Sequence, residues 1–129
     1  MRKAIHVLLA VVIMAAAGCA RPVVKYWEAI GGSRADATVK LAFYYNPTVE
    51  RPEPNENQAT SVASQKCQTW GYITAEAFGA ALQQCTQWSQ SLYGSPICYQ
   101  MTVVKEYQCA GTSDGLLKMM QEGGIKLEK

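Results

Sequence analysis

The chain has 129 residues, which is enough for one domain. Its 12 Lys and Arg residues exceed its 10 Asp and Glu residues by a margin that comes from Arg2 and Lys3. Without these two the chain is near neutral and lacks the charge that neutralises a nucleic-acid backbone, so we expect no nucleic-acid partner. The one histidine, His6, lies in the same N-terminal segment. Removal of this segment would leave a chain without histidine. Ser-His-Asp and Cys-His nucleophiles and His-containing zinc sites would then be excluded.

Residues 1–18 contain the features of a secretory signal in their usual order. Arg2 and Lys3 give a positive start, residues 4–17 are uncharged and mostly aliphatic, and small residues follow. A permanent transmembrane helix is the alternative, but it needs roughly 20 apolar residues. The apolar run here is shorter and contains His6. We therefore expect export and removal of residues 1–18.

Cys19 follows this segment in a sequence that resembles the lipobox of bacterial lipoproteins. The resemblance covers residues 16–19, with Gly18 before the cysteine and Ala16 at a position where Leu is usual. It implies acylation at Cys19, palmitate included, and each buried methylene contributes about 0.8 kcal/mol to anchoring. Ala20, rather than the Asp linked to inner-membrane retention in enteric bacteria, indicates a periplasm-facing anchor in the outer membrane. The alternative is a plain secreted protein with a free Cys19 thiol.

Residues 19–36 are predicted to form the lipidated N-terminus and a tether, with a turn at Gly31-Gly32-Ser33. The alternative for part of this segment is packing on the domain, through Val23, Val24, Tyr26 and Trp27. Phosphate loops follow a strand and open a helix, whereas these glycines precede a strand, so a phosphate site is disfavoured. Residues 37–45 alternate with a period of two, which predicts a strand. Its apolar face carries Ala37, Val39, Leu41, Phe43 and Tyr45, and its other face carries Thr38, Lys40, Ala42 and Tyr44.

The Pro-rich residues 46–58 are predicted to be a loop that leads into a helix. Asn55 is the predicted N-cap, and Gln58 occupies the capping-box position. The helix carries an apolar stripe at helical spacing, and Gly71 is predicted to end it. The residues of that stripe are Ala59, Val62, Ala63, Cys67 and Trp70.

Residues 72–80 are predicted to be a short helical turn or an ordered loop, with Phe78 in the core. Two strands follow, at residues 81–88 and 98–109, joined by a turn at Gly94-Ser95-Pro96. Together with the first strand they predict an α+β fold. In this fold a small antiparallel sheet of about three strands carries one main helix on one face.

Four cysteines remain once Cys19 is set aside, and in an exported chain they predict two disulfides. No pair has the C-x-x-C spacing of a zinc site, so metal binding is disfavoured. The sequence by itself leaves the connectivity open. Cys67 on the helix stripe and Cys109 on the apolar face of the last strand point towards each other, while Cys98 lies on the opposite face across the hairpin from Cys85. These faces favour a nested pattern, Cys67–Cys109 and Cys85–Cys98.

The disulfide-bonded domain is predicted to span residues 37–110, followed by a C-terminal extension at residues 111–129. Ser113 is predicted to cap a short helix that Gly123-Gly124 ends. Isolated helices of this length are marginal in water. The extension therefore docks weakly on the domain, binds a partner or is disordered, and we favour weak docking.

Several short motifs follow one another along the mature chain. They are residues 31–36, the strand from Val39, Cys67 with Trp70-Gly71-Tyr72, residues 75–79, Cys85, Cys98 and Tyr107-Gln108-Cys109. This ordered set, over roughly residues 19–110, resembles the YecR-like lipoprotein family. The resemblance implies a lipoprotein of the outer-membrane type and brings no catalytic residues to the chain. It implies nothing about the extension after Cys109.

The anchor, the disulfides and the neutral charge favour a lipid-anchored binding or accessory module of the cell envelope rather than an enzyme. The expected partners are the membrane, through the lipid, and an unidentified envelope protein, and no cofactor is expected. Aromatic residues are enriched at interfaces, although each one here can instead be a half-buried strand or turn residue. The candidate contact residues are Tyr44, Tyr45, Trp88 and Tyr93.

Two other functions stay open. A structural component of an envelope assembly has the same sequence features. A carboxylate-dependent cell-wall enzyme needs two carboxyl groups held across a cleft. The candidates for that chemistry are Asp36, Glu50, Glu53, Glu56, Glu76 and Glu106.

Overall fold

The computed structural model describes residues 20–123. The predicted signal at residues 1–18, the predicted lipidation site Cys19 and residues 124–129 therefore lie outside the described part. Within that part the chain forms six strands and two helices. In chain order they are β1 (Arg21–Lys25), β2 (Glu28–Ser33), β3 (Thr38–Tyr45), β4 (Glu50–Pro54), α1 (Glu56–Gln68), β5 (Tyr72–Gln90), β6 (Pro96–Thr112) and α2 (Ser113–Glu122).

Four of these strands form one antiparallel sheet in the order β2-β3-β6-β5. β3 is the strand predicted from the alternation of residues 37–45, and Val39, Leu41 and Phe43 of its predicted apolar face are buried. In the register with β6, Val39 lies opposite Tyr107 and Phe43 lies opposite Val103. The two central strands therefore present one continuous apolar face.

The helix α1 packs on this apolar face through small side chains. Ala59, Ala63 and Cys67 are fully buried, and their small size lets the helix backbone come close to the sheet. A disulfide between Cys67 and Cys109, whose Cα atoms are 5.4 Å apart, joins α1 to β6. The α+β class, the antiparallel sheet, the packed helix and two disulfides thus agree with prediction, but the sheet has four strands rather than about three.

In the segment predicted as a tether, Trp27 contributes to the core, which agrees with the alternative of packing on the domain. Trp27 is 2% exposed, and its ring meets the Phe43 ring edge-on with the centroids 4.6 Å apart. The Gln58 side chain holds the Trp27 backbone, since its Oε1 accepts from the N–H at 2.8 Å and its Nε2 donates to the carbonyl at 2.8 Å. Asn55 is the N-cap of α1 as predicted, because its Oδ1 accepts from the Gln58 N–H at 3.0 Å. Gln58 therefore fixes the incoming chain rather than closing a capping box.

The predicted turn at Gly31-Gly32-Ser33 is instead the end of β2, and the chain reverses at residues 34–37. A Cβ at Gly32 would lie 2.5 Å from the Thr38 carbonyl oxygen and 3.1 Å from the Trp70 ring. Glycine is therefore needed at position 32 because β2, β3 and the end of α1 lie too close together there for a side chain, and not because the chain turns.

β1 and β4 form a separate two-stranded parallel ribbon. The prolines predict a loop over residues 46–58, yet β4 lies inside this stretch, because every strand of a two-stranded ribbon is an edge where proline is tolerated. Lys25 of β1 pairs with Glu50 of β4, with Nζ and Oε2 3.0 Å apart. The Asn46 N–H donates to the same carboxylate at 2.7 Å, so the ribbon is fixed to the end of β3.

β5 is one long strand, where the sequence predicts a turn or loop over residues 72–80 and a strand only from residue 81. Ala75 lies opposite Cys109 and Ala77 opposite Tyr107, so small residues take the positions that face α1. Phe78, predicted in the core, is 60% exposed because it lies on the other face of the sheet. The core prediction for Phe78 was therefore wrong.

The helix α2 follows β6 directly. Thr112 is its N-cap, one residue before the predicted Ser113, and the Thr112 Oγ1 accepts from the Gly115 N–H at 3.1 Å. None of the α2 residues is buried. The helix therefore adds little to the core, and its exposed apolar side chains are Leu116, Leu117, Met119 and Met120.

Candidate interaction surface

The β5–β6 hairpin divides near Phe78 into a half that α1 covers and a half that it leaves open. On the covered side, the Ser64 hydroxyl of α1 accepts from the Ala75 N–H of β5 at 3.2 Å. Beyond Phe78, every residue of β5 except Cys85 is exposed. The hairpin thus extends well past the helix that stabilises its first half.

An irregularity in the strand register marks this division. Phe78 lies opposite Glu106 and Leu82 lies opposite Val104, so β5 advances further than β6 between these two pairs. Gly79, inside the irregular stretch, has a φ of 73°, a left-handed conformation that favours glycine. Bulges of this kind redirect a strand, and this one coincides with the end of the cover by α1.

The face of the sheet away from α1 carries an apolar cluster of three exposed side chains around the half-buried Val104. We call it the open-face patch and define it as Tyr44, Phe78, Leu82 and Val104. The register places Leu82 opposite Val104, with Ala42 on the other side of Val104. Tyr44 is 46% exposed, Phe78 60% and Leu82 73%. Apolar side chains grouped in this way on a surface mark interaction sites more often than single exposed residues do.

The outer part of the hairpin has no β3 beside it. β3 ends with Tyr45 opposite Met101, and the strands continue beyond this pair as a two-stranded ribbon. We call residues 86–100 the arm. A disulfide between Cys85 and Cys98, whose Cα atoms are 5.9 Å apart, closes its base. Since two-stranded hairpins are marginal in water, this disulfide is the main constraint on the arm.

The tip of the arm is a tight turn with large apolar residues at its centre. The Gly94 N–H donates to the Ser91 carbonyl at 2.9 Å, and the Ser95 N–H donates to the Ser91 hydroxyl at 3.0 Å. Leu92 and Tyr93 occupy the central positions and are 102% and 95% exposed. Turn centres usually hold Gly, Pro, Asn, Asp or Ser, so these two side chains are not explained by the turn itself.

The open half of the hairpin contains no ionisable Asp, Glu, Lys or Arg side chain over residues 77–104. This stretch includes the arm and most of the open-face patch. β5 is also an outer strand of its sheet, and natural edge strands are usually protected by charge or proline. Phe78, Leu82 and Leu92 were missed as contact candidates, and the gap in the charge pattern is the sequence signal that identifies them.

The structure separates the four predicted contact residues. Tyr44 lies in the open-face patch, whereas Tyr45 points to the opposite face, half-buried, with its ring 6.2 Å from that of Phe43. Trp88 is 58% exposed in the arm, and Tyr93 is at the tip. Tyr44, Trp88 and Tyr93 thus belong to the open half of the molecule and Tyr45 to the core side, and their contact with a partner stays a prediction.

Three of the six carboxylates considered for catalysis form ion pairs with lysines. The Asn46 N–H and then the Lys25 ammonium hold the pKa of Glu50 below its ordinary value. Hydrogen bonding to the Glu56 carboxylate raises the pKa of Lys105. These carboxylates therefore have structural partners. The pairs are Lys25–Glu50 at 3.0 Å, Lys105–Glu56 at 2.7 Å and Lys40–Glu106 at 2.8 Å.

Two further features concern metals and membranes. Among residues 20–123, no group of three or more His, Cys, Asp or Glu side chains could hold a metal ion. Neither helix in the same range combines the length and the apolar character needed to cross a bilayer.

A known protein family matches the part of the chain that forms this surface. The family model described as YecR-like lipoprotein matches residues 26–110. No curated protein matches the chain. The matched residues contain β2, β3, β4, α1, β5 and both disulfides. The chain therefore belongs to the YecR-like lipoprotein family.

Proposed function

We propose that the protein is a lipid-anchored accessory module that binds another envelope protein at the periplasmic face of the outer membrane. Membership of a lipoprotein family supports the anchor. The observation that carries the binding role is the open half of the hairpin, which exposes large apolar side chains along a stretch without charge.

The proposed anchor is acylated Cys19, which lies outside the described residues. Arg21, only two positions later, already begins β1, and its N–H donates to the Val49 carbonyl at 3.1 Å. An acyl group on Cys19 would therefore hold the folded domain close to the bilayer rather than at the end of a long tether. Ala20, in place of Asp, supports retention in the outer membrane.

The proposed binding surface is the open-face patch together with the free edge of β5. The patch offers apolar area, and the edge offers backbone N–H and C=O groups to which a partner can add a strand. Residues 77–104 have no charge to pair, so a strongly charged partner surface would lose its hydration without compensation. We therefore expect a partner that presents an apolar or neutral surface.

We propose binding rather than catalysis. Glu50, Glu56 and Glu106 are each engaged by a lysine, which supports a structural role for half of the candidate carboxylates. Asp36 and Glu76 are exposed and stand outside the ion pairs of the described residues. Hydrolysis of a cell-wall substrate that disappears on Asp36→Asn or Glu76→Gln would overturn this part of the proposal.

The test is photo-cross-linking in living cells from the open-face patch. A photoreactive amino acid replaces Leu82, and the matched control replaces Thr60, which is exposed on α1. We expect one envelope protein to be captured from Leu82 and not from Thr60, and the capture to weaken with Phe78→Ser. Equal capture from both positions, or none from Leu82, would contradict the proposal.

The same experiment separates an accessory module from a structural component of an envelope assembly. A partner captured at a fixed one-to-one ratio at all expression levels would favour the structural role. Mass spectrometry of the mature N-terminus tests the anchor independently, since an unmodified Cys19 thiol would overturn it.

A further inference from the structure

We infer that the tip of the arm, Leu92 and Tyr93, is a second membrane contact that rests in the headgroup region of the bilayer holding the lipid. The inference rests on the proposed anchoring through Cys19. It assigns the tip to lipid and leaves the open-face patch for the protein partner.

The start of β1 and the arm lie at the same end of the sheet. The Arg21 N–H donates to the Val49 carbonyl at 3.1 Å, and the Val49 N–H donates to the Asn46 carbonyl at 3.3 Å. Asn46 directly follows Tyr45, which lies opposite Met101 at the base of the arm. The chain therefore enters the fold next to the end of β3 from which the arm projects.

Covalent geometry limits how far the domain can stand from the bilayer. Cys19 precedes Arg21 by two positions, and two extended residues span at most about 7 Å. From Met101 to Pro96 the arm continues past the end of β3 by roughly 17 Å. An acylated Cys19 thus brings this end of the domain to the membrane, and the tip projects from the same end.

The side chains at the tip suit the membrane interface. Leu92 and Tyr93 are fully or almost fully exposed, and Trp88 is 58% exposed in the same arm. Tyrosine and tryptophan are enriched at the headgroup level, where the ring is buried and the polar atom stays hydrated. Residues 77–104 carry no charged side chain, so the tip can enter this region without burying a charge.

Two apolar side chains give only weak membrane binding by themselves, because binding strength scales with the apolar area buried. The lipid anchor changes this, since it turns the second contact into an intramolecular event at high effective concentration. A weak tip contact is then sufficient to fix the tilt of the domain. The contact would hold the open-face patch at a constant angle to the bilayer.

The test uses the acylated full-length mature protein in vesicles of phosphatidylethanolamine and phosphatidylglycerol, with and without brominated lipid. Tryptophan is placed at the tip by Tyr93→Trp. The matched control is Leu117→Trp, on the exposed α2 at the opposite end of the sheet, since β6 enters α2 at Thr112. We expect brominated lipid to remove most of the emission added by Tyr93→Trp and none of that added by Leu117→Trp. Adding Leu92→Ser to the Tyr93→Trp variant should reduce the quenching.

The remaining outcomes overturn the inference. Acylated Cys19 with no quenching at the tip removes the tip contact and leaves the anchor in place. Unmodified Cys19 removes both, and mass spectrometry of the same sample distinguishes this case. A tip that is not quenched in vesicles but cross-links to a protein in cells from position 93 would show that Tyr93 belongs to the protein-binding surface instead.

Discussion

The covered and open halves of the β5–β6 hairpin differ in what holds their strands in place. In the covered half, Tyr107 and Cys109 are 1% and 5% exposed beneath α1, and the Cys67–Cys109 disulfide closes a long loop. In the open half, the Cys85–Cys98 disulfide closes a short loop between partly exposed cysteines. The Cys67–Cys109 disulfide therefore reinforces a packed core in the covered half. The Cys85–Cys98 disulfide holds the strands together in the open half, where no core does so.

The largest expected effect comes from removing the disulfides one at a time. Cys67 and Cys109 are 42 positions apart, and loss of such a loop closure costs about 4 kcal/mol of unfolding free energy. We expect this loss for the Cys67→Ala/Cys109→Ala variant in urea unfolding of the Cys19→Ser protein. The Cys85→Ala/Cys98→Ala variant should lose less than about 1 kcal/mol globally, because the arm opens locally without unfolding the core.

Hydrogen exchange provides the control for this comparison. In the Cys85→Ala/Cys98→Ala variant, exchange should accelerate in residues 86–100 and stay unchanged in α1. If the two double variants lose the same free energy of unfolding, the arm and the core unfold together and the division of the hairpin at Phe78 has no energetic meaning.

A smaller effect is expected where the N-terminal segment is fixed to the covered half. Gln58→Ala leaves the N–H and carbonyl of Trp27 without their partner, which should lower the unfolding free energy by roughly 2 kcal/mol. Gln65→Ala, at an exposed position on the same helix, should change it by less than about 0.5 kcal/mol. Equal effects in urea unfolding would show that the Gln58 clamp contributes nothing specific.

The covered half was largely predictable from the sequence because its elements repeat with a clear period. The β3 sequence places its large apolar side chains at every second position, and α1 shows a helical stripe with a capped start. The nested disulfide pattern followed from the faces assigned to Cys67 and Cys109 and is the pairing in the structure.

The rest of the fold has physical causes that leave no periodic signal. The first part of β5 places alanines opposite Cys109 and Tyr107 and shows no run of large apolar residues, so a helical turn or loop was predicted for residues 72–80 with Phe78 in the core. β1 and β4 are held by backbone bonds and the Lys25–Glu50 pair despite their prolines. Trp27 enters the core through contacts with Phe43 and Gln58, which are distant in sequence.

The candidate site shows the same limit. Aromatic content selected Tyr44, Trp88 and Tyr93 in the open half, but also Tyr45 on the core side. Leu82 and Leu92 were not selected because only aromatic residues were considered as contact candidates. The absence of charge over residues 77–104 was visible in the sequence, but only the structure shows that the β5 part of this stretch and the tip of the arm are exposed.

The smallest expected effect depends on pH and concerns the ribbon that joins the chain entry to the end of β3. The pKa of Glu50 lies below its ordinary value of 4.5, first because of the Asn46 N–H and then because of Lys25. A lowered folded-state pKa contributes stability that is present above the unfolded-state value and is lost as the pH falls through the folded-state value. We therefore expect Glu50→Gln to lower the unfolding free energy by about 1 kcal/mol at pH 7. The difference from the wild type should shrink below pH 4.5 and vanish in stronger acid.

Glu53→Gln, on the same strand but outside the ion pairs of the described residues, should change stability at pH 7 by less than about 0.5 kcal/mol. A Glu50→Gln effect that stays constant from pH 7 into acid would show that the loss comes from side-chain packing. The ribbon beside the arm would then be held, like the core, by contacts that do not depend on charge.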